Sequence, residues 1–159
     1  MAAERVEMSG SCRHVALLRG VNVGGKKVEM VRLKQAFEVL GFSNVRTLIN
    51  SGNVVFDAAA GETLIPAIEH KLRETFGFEI RVLVRTRDAI RAPVASEPFK
   101  GAGADTKTFV TFTGPLSGEV CSVIATDAKT TDLMTELQRQ HGQGITTRNW
   151  NTVVKLAEL

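Results

Sequence analysis

HVALLRGVNVGGKKVEMVRLKQAFEVLGFSNVRTLINSGNVVF, His14 to Phe56, is the stretch from which the fold can be read. His14 to Val21 is apolar on both faces through its middle, as a strand buried inside a sheet must be. Asn22 to Lys27 is a glycine-rich loop. Met30, Leu33, Ala36, Phe37 and Leu40 then recur at helical spacing, and Gly41 stands where a helix ends. Val45, Thr47 and Ile49 alternate along a second strand. Asn50-Ser51-Gly52-Asn53 supplies turn chemistry, and Val54 to Phe56 resumes, which predicts a hairpin.

Working outward, Leu64, Ile68, Leu72 and Phe76 repeat every four residues and Gly77 follows, so a second helix is expected. Phe78, Ile80, Val82 and Val84 alternate with charged residues, the pattern of a strand with one buried face. The order over residues 14–85 is therefore βαββαβ, the split βαβ of ferredoxin-like folds, and the chain is α+β. Beyond it, Thr86-Arg87-Asp88 opens a short helix that Pro93 and Pro98 close, and Gly101 to Asp105 reads as a linker. Thr108–Phe112 and Val120–Ile124 are two more strands, and Leu133, Met134 and Leu137 lie on a helix ended by Gly142. Trp150, Val153, Val154 and Ala157 form a final amphipathic helix capped by Thr146 or Thr147, with Trp150 as a core anchor. Two subdomains are expected, residues 14–91 and a smaller α+β part at 105–159.

The chain has 159 residues, 43% hydrophobic and 23% charged, which excludes a collagen-like rod or a disordered tail. Its longest purely apolar run, Val15 to Leu18, is far too short to span a membrane. The opening MAAERVEMSGSC lacks the apolar centre of a secretion signal, so a cytoplasmic protein is expected. Residues 1–91 hold 14 Lys and Arg against 10 Asp and Glu; residues 92–159 hold 6 against 7. The basic first half suits a phosphate-bearing partner, a small molecule or a nucleic acid, although many basic proteins bind neither. Cys12 and Cys121 have no metal or redox spacing and read as free thiols, an oxidised pair being the alternative. His14, His70 and His141 show no ligand spacing, so no metal and no cofactor is expected.

Three stretches, ALLRGVNVGGKKVEM at 16–30, LGFSNVRTLINSGNVVF at 40–56 and TTRNWNTVVKL at 146–156, resemble the bacterial DUF1697 domain family, as do FGFEIRVLVRT at 76–86 and EPF at 97–99. The resemblance implies an α+β fold built from ferredoxin-like halves and no established activity. Such proteins usually run longer between the strands at 108–112 and 120–124, where only TGPLSGE stands here. The resemblance thus implies a truncated second half with an edge either covered or left for pairing, and a homodimer is one open state.

Gly20 to Lys26 fits G-x-x-x-x-G-K, but Lys27 stands where a P-loop needs Ser or Thr, and the strand order lacks parallel crossovers. A plain glycine turn and a simple anion site remain. Split βαβ topology brings the end of the first strand and the 50–53 hairpin to one edge, where Arg19, Asn22, Gly24, Gly25, Lys26, Lys27, Asn50, Ser51 and Asn53 converge as candidate anion ligands. Arg148 and Asn149, expected in the first turn of the last helix, complete the set, Arg148 having either an acidic partner or a ligand's anion. The expected function is a binding module for a phosphate-bearing ligand. The alternatives are a small enzyme at the same edge, for which no general base is legible, and an assembly protein pairing through exposed strands.

Overall fold

A computed structural model describes residues 11–20, 27–48, 52–59, 64–114 and 117–159. The chain divides into two compact units, Met1–Arg87 and Asp88–Leu159, each mixing helices with an antiparallel sheet.

In the first unit, β1 (Ser11–Leu18), α1 (Met30–Val39), β2 (Ser43–Leu48), β3 (Asn53–Ala59), α2 (Leu64–Phe76) and β4 (Val82–Thr86) follow one another. The sheet order is β2-β3-β1-β4, with every neighbouring pair antiparallel. β1 and β2 thus run parallel with β3 between them, as a split βαβ arrangement demands. Alternation in β1 turns Ala16 and Leu18 to one face, where they meet Val54 and Phe56 of β3 and Val82 and Val84 of β4. Leu33, Ala36 and Phe37 of α1 and Ile68 and Leu72 of α2 close that core, so both helices cover the same face. Phe56 stacks on Phe42 at 4.6 Å and lies 5.2 Å from Phe37.

The apolar alternation at 78–84 overstates the last strand. Only Val82–Thr86 joins the ladder, although Ile80 is fully buried, because alternation reports burial and not pairing. The first strand likewise ends at Leu18 rather than Val21.

The second unit holds α3 (Arg87–Ser96, opening on the last residue of the first unit), β5 (Thr106–Phe112), β6 (Glu119–Ala125), α4 (Thr130–His141), β7 (Thr146–Asn149) and α5 (Trp150–Glu158). Its sheet order is β6-β5-β7, again antiparallel. Pro93 does not close α3 but lies inside it; the helix stops at Ser96, before Glu97 and Pro98, since a residue preceding proline is pushed out of the helical region. Gly142, at φ 88°, ends α4 in a backbone conformation that favours glycine.

The last helix also begins later than its sequence suggests. Thr146 and Thr147 cap nothing: they lie in β7, opposite Phe112 and Thr111, and the Thr111 and Thr147 hydroxyls share a 2.7 Å hydrogen bond. Asn149 is the cap, its Oδ1 accepting from the Thr152 backbone N–H at 2.9 Å. The buried stripe of α5 is accordingly Thr152, Val153, Leu156 and Ala157. Trp150 is only half-buried and leaves the core to them.

Candidate functional site

The candidate edge grows from the end of β1. The Leu18 N–H donates to the Gly52 carbonyl at 2.9 Å, and the Arg19 N–H donates to the Arg81 carbonyl at the same distance. Those two bonds set Arg19 between the start of β3 and the start of β4. α1 must begin at this end too, because it returns from the end of β1 to the start of β2. Its N-cap, Glu29, makes no side-chain cap, and no acidic residue occupies the first turn. Glu29 instead faces Arg32 at 3.8 Å. Arg32 reaches across to α2, lying 4.9 Å over the Phe76 ring and donating to the Thr75 carbonyl. Lys27 is exposed immediately before this helix. Arg81, which alternation alone would have marked as the outward residue between Ile80 and Val82, stands 3.7 Å from Glu79 and 3.9 Å from Glu69.

Of the residues expected here, Arg19, Lys27 and Asn53 are described, whereas Asn22, Gly24, Gly25, Lys26, Asn50 and Ser51 lie outside the described residues. Asn53 is fully buried and its Nδ2 donates to the Leu48 carbonyl at 3.0 Å, so its amide serves the turn.

Arg148 and Asn149 belong to the second unit, and neither sits in a helical first turn. Asn149 is the α5 cap. Arg148 points to the buried face of β7 and donates to Thr146 Oγ1 at 2.6 Å and to the Thr147 carbonyl at 3.0 Å. Desolvation there pushes its guanidinium down to about 10, and it stays charged at neutral pH.

Two polar groupings escaped the sequence reading. At the opposite end of the first sheet, Arg13 and Asp57 are cross-strand partners in a 3.2 Å ion pair. Asn44, held at φ 51°, donates to Asp57 Oδ2 at 2.6 Å and accepts from Arg13 through its carbonyl. Burial works to raise the Asp57 carboxyl; the hydrogen bonds from Asn44 and Arg13, with the charges of Arg13 and Arg87, outweigh it and hold the group below its ordinary value. Such pairing across forty residues has no local sequence signal.

In the second unit an open cleft of about 490 Å³ lies between Trp150, Phe99, Glu97, Lys100, Thr106 and Thr108. Trp150 meets Phe99 edge to face, with centroids 4.9 Å apart. The EPF at 97–99 was the available hint. Glu97 sits at φ 50°, a left-handed conformation that costs a residue with a Cβ.

No group of three or more His, Cys, Asp or Glu side chains converges as a metal site among the described residues, and no helix among them is long and apolar enough to cross a membrane. Neither Cys12 nor Cys121 is in a disulfide. Partial desolvation, then the Glu119 carboxylate, push the Cys121 thiol up, away from the thiolate that a nucleophile requires.

No curated protein matches the chain. Among solved structures, a conserved bacterial protein from Streptococcus pneumoniae, SP0830, superposes with a TM-score of 0.70 at 20% identity, covering 93% of this chain and 97% of that one. At that identity the likeness concerns the fold. The family of proteins of unknown function DUF1697 matches residues 12–140, most of the chain, and the chain belongs to that family.

Proposed function

We propose that the chain is a binding module for a phosphate-bearing ligand, a nucleotide or a nucleic-acid backbone, held at the edge where β1 ends. The observation that carries this reading is the start of α1. Its first turn has neither a side-chain cap nor an acidic residue, and it opens at an end of the sheet that also holds Arg19, Lys27 and Arg81. Uncapped N–H groups and the positive end of the helix dipole favour an anion. Lys26 and Lys27 supply charge just before the helix, and Gly24 and Gly25 carry no side chains that would keep a ligand from the backbone.

Titration calorimetry of the parent and of Lys26→Gln/Lys27→Gln, at low salt, tests the reading against a panel of mononucleotides and a single-stranded oligonucleotide. Lys27 is exposed, so the double variant should melt with the parent. It should bind about 10-fold more weakly or worse, given about 1.5–3 kcal/mol for each charge-assisted hydrogen bond lost. A steep fall of affinity with salt for the oligonucleotide alone identifies a nucleic-acid backbone; tight mononucleotide binding identifies a nucleotide. Equal binding by both proteins across the panel removes this edge from consideration.

A further inference from the structure

We propose that the free edge of β6 pairs with the β6 of a second copy of this chain, antiparallel about a two-fold axis at Ser122. Sheet edges normally carry devices that discourage pairing, namely short length, charge, proline or a bulge. The other edges among the described residues carry them. β2 has Arg46 and a register shift between Ser43 and Arg46; β4 has Arg85; β7 is four residues long and includes Arg148. β6 has none. It runs seven residues, EVCSVIA, in unbroken register with β5. No residue of it is buried, and Val123 is 47% exposed.

The phase of its hydrogen bonds selects the partner. Thr113 donates to the Gly118 carbonyl and Thr126 donates to the Asp105 carbonyl, so the even-numbered residues of β6 turn their backbone groups toward β5. Glu119, Cys121, Val123 and Ala125 therefore direct theirs outward. An antiparallel copy centred on Ser122 sets Glu119 opposite Ala125 and Cys121 opposite Val123, and every outward N–H and C=O of both strands finds a partner. Centring on Cys121 or on Val123 leaves some of these groups unmatched. The side chains agree with that register. Val120 meets Ile124, Cys121 meets Val123, and the one charged residue, Glu119, meets Ala125 with no like charge opposite. A strand that is its own complement in hydrogen bonding and in side chains fits a copy of itself.

Sedimentation equilibrium of the full chain over a concentration series, with amide hydrogen exchange, tests the proposal. The expected result is a reversible doubling of mass, with exchange slowed at the amides of Glu119, Cys121, Val123 and Ala125 as the dimer fills. Val123→Lys should raise the dimer dissociation constant about 10-fold or more while the dilute monomer melts unchanged, since the side chain is exposed. In a Cys12→Ser/Cys121→Ser background, Ser122→Cys should form a disulfide-linked dimer under mild oxidation, because opposed residues of a non-hydrogen-bonded pair have Cα atoms about 4.5 Å apart. A mass of one chain at every concentration overturns the proposal, whether or not some other extended peptide adds to β6. A dimer that neither weakens in Val123→Lys nor cross-links through Ser122→Cys overturns it as well.

Discussion

Trp150 shows how far a single residue's role depends on one residue of phase. Spacing with Val153, Val154 and Ala157 assigns it to the core, yet the helix begins at Trp150 itself, and Val153, Leu156 and Ala157 carry the buried stripe. The indole packs edge to face on Phe99, with another side on the cleft. Only part of its surface leaves water, so Trp150→Ala should cost about 2–3 kcal/mol, less than a full core truncation. Urea denaturation reads this directly, and a loss near 5 kcal/mol would mean that the indole is a core anchor after all. Arg148 carries the same lesson with the opposite sign. Its sequence position reads as a helical first turn facing an acidic partner or a ligand's anion, but β7 turns it to the buried face, where the Thr146 hydroxyl and the Thr147 carbonyl receive its guanidinium.

Among the elements, α1, α2 and α4 were legible because their apolar residues repeat every three or four and a glycine follows. Gly41, Gly77 and Gly142 all adopt positive φ, at 94°, 82° and 88°. The central strand was legible from its double-sided apolar run, since Val15, Ala16 and Leu17 are all fully buried. β7 was not. Thr146-Thr147-Arg148-Asn149 has no apolar alternation, and what makes it a strand is its register against β5, which joins residues far apart in sequence. The candidate edge was legible only as topology: the sequence places Arg19 beside the hairpin, but the part played by Arg81 depends on where β4 begins. Since Asn149 Oδ1 accepts from both the N–H and the hydroxyl of Thr152, Asn149→Ala should cost about 1 kcal/mol. Asn149→Asp should retain most of it. Thermal melts of the two variants that coincide would show that the cap contributes nothing.

At the scale of the whole molecule, acid stability should fall in two stages. Burial lowers the His14 imidazole below its ordinary 6.5, against the Cys12 carbonyl bond and Asp57, which both act to raise it. The folded state therefore holds His14 neutral, stacked 5.5 Å from Phe56. A lowered folded value means that this contribution is whole above 6.5 and is lost as pH falls through the folded value. The Asp57 carboxylate behaves likewise lower down: its contribution is whole above the ordinary 3.8 and lost as pH falls through its lowered value. Unfolding free energy measured from pH 8 to pH 2 should thus lose its upper stage in His14→Leu and its lower stage in Asp57→Asn. A His14→Leu curve parallel to the parent between pH 7 and pH 5 would contradict the first assignment.

The position of β1 at the middle of its sheet also governs how the chain is made. Ser11–Leu18 leaves the ribosome well before its two neighbours, β3 and β4, which end only at Ala59 and Thr86. At about 5–20 residues per second, translation leaves this apolar strand without either flank for several seconds. For that interval a nascent chain leaves Val15 to Leu18 without the strands that bury them. β5 and β6, by contrast, are separated by only the residues between Phe112 and Glu119 and have each other as soon as both emerge.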